Sequence, residues 1–272
     1  MTEMDDVVAS DEHLSVQRAG TRLIITLDHA ARKNALTNAM IASITRHVDD
    51  AVLDDVTRVI VLRSTGLDFC TGIDLAESNP GGDKPRIGHL QRRMMQGSHR
   101  MIRTLHEAQL PIVAGVSGWA AGVGNALALC ADVVIADESA KFWVPFVGKG
   151  FTPDSANSYL LPRLIGLARA KEMIMRAKPI TAATALAWGL ISEVVPVGEL
   201  DAAVDTVAGE LEGAATLSVG LAKTLIHRNL DHDLTNALQN EAIYEELAVR
   251  SDDFKEGMRS FVQKRPPEYT GR

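Results

Sequence analysis

Residues 118–134, GWAAGVGNALALCADVV, join a glycine-rich turn to an apolar run with helical spacing and then to the start of a strand-like segment. Gly118, Gly122 and Gly124 allow backbone conformations and close approaches that other residues resist. The predicted helix carries no acidic or basic side chain, so any chemistry at this turn has to come from backbone groups.

Strand-like runs alternate with helical patterns on both sides of this turn. In the helix predicted after Thr37, a plausible N-cap, apolar side chains recur at Met40, Ile41, Ile44 and Val48. Such alternation predicts an α/β fold with mostly parallel strands. The strand-like runs are LSVQRA at 14–19, TRLIITL at 21–27, TRVIVLRS at 57–64, PIVAGVSG at 111–118 and DVVIAD at 132–137.

After Gly198 the pattern becomes helical throughout. The sequence therefore predicts two regions, a core over residues 1–197 and a helical region over residues 198–272. The helices are predicted at 200–211, 215–228, 234–249 and 252–263, with Pro266 and Pro267 ending the last one.

Composition excludes several classes of protein. The 272 residues, 46% of them hydrophobic, suffice for one large core. No apolar run reaches the ~20 residues of a membrane span, and the acidic N-terminus lacks the order of a secretory signal. Cys70 and Cys130 form no metal-binding motif, and a net charge of −7 disfavours nucleic acid. We therefore expect a soluble cytoplasmic protein that binds no metal, nucleic acid or membrane.

Six motifs follow one another along the chain. They are RKNAL at 32–36, FCTGIDL at 69–75, GWAAGVGNALALCAD at 118–132, FTPDSANSYLLPRLIG at 151–166, ITAATALAWGLISEVVP at 180–196 and EGMRSFVQKRPPEYTG at 256–271. In this order they resemble the crotonase superfamily, the enoyl-CoA hydratase/isomerase group, over nearly the whole chain. The resemblance implies a spiral of repeated ββα units, a C-terminal helical trimerisation region, and a homotrimer or a dimer of trimers. It also implies an acyl-CoA substrate and no cofactor beyond its coenzyme A moiety.

The glycine turn has a functional interpretation within this resemblance. A thioester reacts when its carbonyl oxygen can accept charge, and two backbone N–H groups can stabilise that charge. The resemblance implies that these donors are the N–H groups of Ile73 and Val123. The family usually has glycine where Val123 stands, so the added Cβ could shift the thioester. The alternative is that the glycines only permit tight packing between strand and helix.

Two positions depart from the hydratase pattern. Counting along the motifs places Ala126 and Phe146 where a hydratase has its two glutamates. Neither side chain can transfer a proton, whereas each such group contributes ~10²–10⁴-fold to rate. Ordinary hydration of an enoyl-CoA is therefore not expected.

Asp154 lies where several isomerases, and a dehalogenase branch, have an acidic residue. One carboxylate that removes a proton and returns it elsewhere would move a double bond from the 3- to the 2-position. Asp154 also fits an ordinary helix N-cap. Three other functions stay open: non-catalytic acyl-CoA binding or shuttling, a hydratase-like reaction of other specificity, and hydrolase or dehalogenase chemistry with Asp154 as nucleophile.

The resemblance places cationic groups against the coenzyme at Arg32 and Lys33, and at Lys264 from a neighbouring subunit. Asp74 is expected to stabilise its loop rather than to catalyse.

The sequence predicts one long helix over about residues 87–107, and the resemblance implies that it lines the acyl pocket. Its methionines, Met94, Met95 and Met101, would form an adaptable wall. Its histidines, His89, His99 and His106, are expected to be partly exposed side chains rather than ligands.

Overall fold

The computed structural model describes residues 6–78 and 86–272. Its strands are β1 (Asp6–Asp11), β2 (Leu14–Ala19), β3 (Arg22–Leu27), β4 (Val59–Ser64), β5 (Ile112–Val116), β6 (Trp119–Ala121), β7 (Val133–Asp137), β8 (Lys141–Trp143), β9 (Ile180–Thr181) and β10 (Glu193–Val195). Its α-helices are α1 (Asn38–Leu53), α2 (Leu75–Ser78), α3 (His89–Gln96), α4 (Ser98–Glu107), α5 (Val123–Leu129), α6 (Asn157–Arg176), α7 (Ala182–Trp188), α8 (Leu200–Glu212), α9 (Thr216–Asn229), α10 (Leu234–Ala248) and α11 (Asp252–Gln263). Two 3₁₀ turns lie at Ala30–Arg32 and Val147–Lys149.

The larger sheet has the strand order β1-β2-β3-β4-β5-β7-β10. Strands β1 to β3 pair antiparallel, and β3, β4, β5, β7 and β10 run parallel. All five residues of β5 are buried, as expected for a strand covered on both faces. The α/β class and the five predicted strands are confirmed. A smaller sheet, β6-β8-β9, carries the glycine turn at the end of β6.

Helices cover both faces of the larger sheet. Thr37 caps α1 as predicted, because its Oγ1 accepts a hydrogen bond from Met40 N at 3.1 Å. On the other face, Val204 and Ala208 of α8 pack with Val61 and Val113 in a second hydrophobic cluster. This cluster anchors the first of the C-terminal helices on the sheet.

The four C-terminal helices lie where the sequence predicts them, within one residue at each end. Lys223 of α9 is buried and donates to the Asp132 carboxylate at 2.9 Å and to the Leu110 carbonyl at 3.2 Å. Helix α9 is thus tied to the core, whereas α10 packs on α9. The functional division of the chain at residues 197 and 198 stays a prediction.

The expectation of one continuous helix over residues 87–107 is wrong. It is two helices, α3 and α4, that meet at Gly97, whose backbone angles of φ −102° and ψ −111° are not helical. Met101 lies in the core with no exposed surface, so it does not form part of a pocket wall.

No helix within residues 6–78 and 86–272 is long and apolar enough to cross a membrane. The same residues contain no group of three or more His, Cys, Asp or Glu side chains placed to hold a metal ion. Cys70 and Cys130 are free and buried, and burial raises the pKa of each thiol to about 12.

Candidate active site

The glycine turn lies against the loop that carries Ile73. Ala121 N donates to the Cys70 carbonyl at 2.9 Å, and Cys70 N donates to the Trp119 carbonyl at 2.8 Å. A Cβ added to Gly72 would lie 3.2 Å from the Ala121 oxygen and 3.8 Å from Val123 N. The two segments that the sequence singles out are therefore brought together.

The N–H groups of Ile73 and Val123 are available to a ligand. Neither donates a hydrogen bond to any residue that the structure describes. Val123 is the first residue of α5, so the positive end of this short helix's dipole strengthens its N–H as a hydrogen-bond donor. The Val123 side chain is 2% exposed and belongs to the hydrophobic core. The valine thus keeps the backbone donor and directs its methyl groups into the core.

Two glycines shape this turn for different reasons. Gly122 has φ 58° and ψ −115°, a conformation that residues with a Cβ rarely adopt. At Gly124 a Cβ would lie only 2.2 Å from the Cys70 carbonyl oxygen, so close packing also requires glycine there. Tight packing and a Val123 N–H that donates no hydrogen bond among the described residues are therefore both properties of the same turn.

The two positions that the resemblance assigns to hydratase glutamates are apolar in the folded protein. Ala126 is fully buried in α5. The Phe146 ring lies against the turn, since its Cζ is 3.5 Å from where a Cβ on Gly122 would be. Neither position offers a carboxylate to orient water.

Asp154 does not cap a helix. Helix α6 begins at Asn157, and its N-cap is Ala156 in the left-handed conformation, with φ 63°. The Asp154 carboxylate instead accepts hydrogen bonds from Ser155 N, from Ser155 Oγ at 3.1 Å and from His99 Nε2 at 2.6 Å. The helix-cap interpretation is therefore wrong, and the carboxylate faces a histidine from another helix.

All three hydrogen bonds end on the same oxygen, Oδ1 of Asp154. Since an ionised carboxylate only accepts, His99 Nε2 carries the hydrogen. Within the described part of the chain Oδ2 has no hydrogen-bond partner. One carboxylate oxygen is held by three hydrogen bonds, and the other is held by none among these residues.

Sequence reasoning missed the role of His99. It lies in α4, 55 residues before Asp154 in the chain, and nothing in its local sequence separates it from the exposed His89. The pairing depends on how α4 packs near the start of α6, which only the folded structure shows.

A cavity of about 290 Å³ opens beside this pair. His99 and Ser155, which both hydrogen-bond to Asp154, line it. Of the three methionines expected in the pocket wall, Met95 lines it too. Most of the lining surface is apolar, which suits an acyl group. The lining residues are Met95, His99, Ile102, Arg103, His106, Cys130, Ser155, Ala156, Tyr159 and Leu160.

His106 forms part of the cavity wall as a neutral ring. Its ring stacks on His227 of α9, with centroids 4.0 Å apart, and meets the Tyr159 ring edge-on at 5.9 Å. Burial, together with the nearby charges of His227, Lys223 and Arg163, lowers its pKa to about 4. At neutral pH the wall therefore carries no charge at His106.

The candidate coenzyme-binding cations differ in their surroundings. Arg32 forms a two-point contact with buried Asp74, Nη2 to Oδ1 at 3.0 Å and Nε to Oδ2 at 3.3 Å. Asp74 also accepts a hydrogen bond from Ala76 N at 2.9 Å, which is the loop-stabilising role expected for it. Lys33 is exposed, with Nζ 3.9 Å from the Asp68 carboxylate, and Lys264 is exposed at the end of α11.

The chain matches known proteins over almost its whole length. Residues 18–272 match the family described as enoyl-CoA hydratase/isomerase. The chain is 34% identical over 252 residues to 1,2-epoxyphenylacetyl-CoA isomerase of Escherichia coli (strain K12), covering 92% of this chain and 95% of the relative. It is 30% identical over 260 residues to 2,3-dehydroadipyl-CoA hydratase of the same organism, covering 95% and 99%.

The fold agrees with that match. A crystal structure of enoyl-CoA hydratase from Bacillus anthracis superposes with a TM-score of 0.89 at 29% identity, over 96% of this chain and 100% of that one. The predicted crotonase-type α/β fold is confirmed.

Proposed function

The chain belongs to the enoyl-CoA hydratase/isomerase family, and we propose that it converts a 3-enoyl-CoA to a 2-enoyl-CoA through an enolate. The observation that carries this proposal is the Asp154 carboxylate, with Oδ1 held by His99 and Ser155 and Oδ2 free of hydrogen bonds among the described residues. A single carboxylate with one oxygen free of hydrogen bonds suits a reaction in which the same group removes a proton and returns it.

The reaction can be written with all atoms accounted for. Asp154 Oδ2 removes a proton from C2, and the electron pair moves into a dienolate whose negative charge rests on the thioester oxygen. The N–H groups of Ile73 and Val123 stabilise that oxygen, a kind of contact worth ~10²–10³-fold in rate per donor. The Asp154 carboxyl group then returns the proton to C4, which restores the carbonyl and leaves the double bond between C2 and C3.

The apolar character of Ala126 and Phe146 supports isomerisation over hydration. Hydration needs a water held between an acid and a base. One relative is named as an isomerase and another as a hydratase, so the relatives' names do not choose between the reactions. The residues at these two positions favour isomerisation.

Arg32 and Lys33 would bind the phosphates of coenzyme A by charge-assisted hydrogen bonds. We extend the proposal to Lys264 of a neighbouring subunit, in a homotrimer or a dimer of trimers. No cofactor beyond the coenzyme A moiety of the substrate is needed, because the reaction involves no net oxidation or reduction.

The test is incubation with a panel of 3-enoyl-CoA and 2-enoyl-CoA thioesters in D₂O, with products and deuterium content read by mass spectrometry. We expect 2-enoyl-CoA from 3-enoyl-CoA, with deuterium entering at C2 or C4. A 3-hydroxyacyl-CoA product would instead show hydration. Tight binding with neither exchange nor product would indicate a non-catalytic acyl-CoA binding or shuttling protein.

His99 supports a second candidate function, hydrolysis or dehalogenation. In dehalogenation Asp154 attacks the halogen-bearing carbon of the acyl group, expels halide and forms an ester; in hydrolysis it attacks the thioester carbonyl carbon, expels the coenzyme A thiolate and forms an anhydride. Water then attacks the Asp154 carbonyl carbon of that intermediate while His99 takes a proton at its unprotonated ring nitrogen. This releases the hydroxylated acyl-CoA or the free acid and restores the carboxylate with one oxygen from water. Turnover in H₂¹⁸O followed by peptide mass spectrometry tests this route, since only it places ¹⁸O in Asp154.

A further inference from the structure

Two buried asparagines lie between the glycine turn and the Asp154 segment. Asn125 of α5 and Asn157 of α6 are both fully buried. Asn125 Nδ2 donates to Asn157 Oδ1 at 2.8 Å. Buried amides are unfavourable unless their hydrogen bonds are made, so the partners of this pair show what it holds in place.

Asn157 donates its two amide hydrogens to the two candidate catalytic segments, the glycine turn before Val123 and the segment at Asp154. Its Nδ2 donates to the Gly122 carbonyl at 3.1 Å and to the Asp154 carbonyl at 2.8 Å. Because both partners are carbonyl oxygens, the amide nitrogen has to face them, and Oδ1 has to face Asn125. The orientation of the Asn157 side chain is thus fixed by its surroundings.

The Gly122 carbonyl belongs to the same peptide unit as the Val123 N–H. A peptide unit is planar, so a hydrogen bond that holds the oxygen also sets the direction of the N–H. A hydrogen bond accepted by the carbonyl polarises the unit and makes the N–H a stronger donor. Asn157 therefore acts on one of the two proposed oxyanion donors without touching the substrate.

The pair carries one hydrogen-bond acceptor that no described residue meets. Asn125 Oδ1 is buried and has no hydrogen-bond partner among the described residues. An unmet buried acceptor disfavours folding, and two apolar side chains of similar size would avoid it.

We propose that Asn157 is a positioning residue that fixes the Val123 N–H and the Asp154 backbone relative to one another. This inference rests on the proposed function, because it assumes that Val123 and Asp154 act on one substrate. The Gly122 carbonyl also accepts a hydrogen bond from Ala126 N at 3.3 Å, and the Asp154 carbonyl accepts one from Asn157 N at 3.1 Å. Losing the side-chain clamp would therefore loosen both groups without freeing them, and small misplacements of catalytic groups lower rates by up to ~10²-fold.

The test compares Asn157→Ala with Asn125→Ala. Asn157→Ala removes both side-chain hydrogen bonds to the Gly122 and Asp154 carbonyls. Asn125→Ala removes a neighbouring amide of equal burial and leaves those two hydrogen bonds in place. We expect kcat to fall about 10- to 100-fold in Asn157→Ala, with KM changed by less than about threefold. In Asn125→Ala we expect a lower melting temperature and a kcat within about threefold of the wild type. If Asn157→Ala does not fold, Asn157→Ser, which keeps one hydroxyl donor, takes its place.

A second readout does not depend on turnover. The infrared carbonyl stretch of bound octanoyl-CoA, labelled with ¹³C at the thioester carbonyl, reports how strongly the two N–H groups polarise it. We expect a shift to lower frequency in the wild type and in Asn125→Ala, and a smaller shift in the Asn157 variant. Equal shifts in all three proteins, or an equal loss in Asn125→Ala, would overturn the positioning role. If the wild type shows the shift but no turnover, the proposed reaction fails while the role of Asn157 at the turn is still decided.

Discussion

His99 Nε2 lies 2.6 Å from Asp154 Oδ1, and this contact joins α4 to the segment that precedes α6. The Asp154 side chain retains 20% exposure and that of His99 retains 32%, so both are half-buried beside the cavity. The contact fixes the orientation of the Asp154 carboxylate and leaves Oδ2 without a hydrogen bond among the described residues.

Replacing Asp154 by Asn should abolish the chemistry without unfolding the protein. The side chain does not cap α6, so the change removes the base and keeps the size of the residue. We expect turnover of a 3-enoyl-CoA to fall by ~10²-fold or more, the usual scale for a lost general base. Steady-state kinetics measure turnover, calorimetry measures thioester binding, and a melting curve measures stability.

Glu172→Gln is the matched control, because Glu172 is an exposed carboxylate of α6 that pairs only on the surface with Arg176. It should leave activity unchanged. Full turnover in Asp154→Asn would mean that another group is the base.

Replacing His99 by Gln separates the two candidate reactions. Gln can still donate a hydrogen bond to Asp154 but cannot accept a proton from water at neutral pH. For isomerisation we expect a fall in kcat of less than about tenfold and no covalent adduct. For the nucleophilic route the ester on Asp154 would accumulate, which intact-protein mass spectrometry detects as an added mass.

Much of the fold could be predicted from local patterns. Alternating strands and helices predict the sheet, and Thr37 predicts the start of α1 because a cap is a local interaction. The C-terminal helix bounds follow from breakers and spacing for the same reason. At Thr37 and at the C-terminal helix ends, the structure agrees with the local signal.

The site was predictable only in part. Gly122 and Gly124 mark the turn, but the contact between His99 and Asp154 and the Asn157 clamp join segments distant in sequence, and neither has a local signal. The break at Gly97 was missed because its flanking residues keep helical spacing. Asp154 looked like a cap because Asp followed by Ser favours one, yet left-handed backbone at Ser155 and Ala156 delays the helix to Asn157.

Arg32 and Lys33 should respond differently to replacement by Ala. Arg32 holds Asp74 beside Ile73, so its loss should lower kcat several-fold as well as weaken thioester binding. Lys33 is exposed, so its loss should weaken binding alone, and the effect should shrink at high salt because exposed charge contacts are screened. Kinetics and calorimetry at low and high salt measure both effects. Equal affinity of the wild type for octanoate and octanoyl-CoA would contradict a coenzyme-binding role for either residue.

Stability should fall as pH drops below neutral because of His106. Its pKa is about 4 in the folded protein against an ordinary value of 6.5, so between these values the unfolded chain binds a proton that the folded chain does not. Burial and nearby Lys223 lower the pKa of His227 as well, which adds to the effect. Urea unfolding at about pH 7.5 and about pH 5 should show a smaller loss of stability in His106→Phe than in the wild type. Titrating groups other than His227, whose ring stacks on His106, act equally on both proteins, so identical losses would mean that His106 does not contribute.

The C-terminal helices should form an interface between subunits. Helix α10 packs on α9 and leaves Leu238, Ile243 and Leu247 at least half exposed, and a groove of about 810 Å³ runs between the two helices. Apolar surface of this extent on a folded chain marks an interaction site. We expect light scattering at micromolar concentration to give the mass of a trimer or a hexamer, and Ile243→Glu to shift it toward the monomer because a buried unpaired charge opposes association. Glu246→Gln, on the same helix and exposed, should leave the mass unchanged. A wild-type protein that is monomeric at that concentration would exclude both the assembly and any role of Lys264 across subunits.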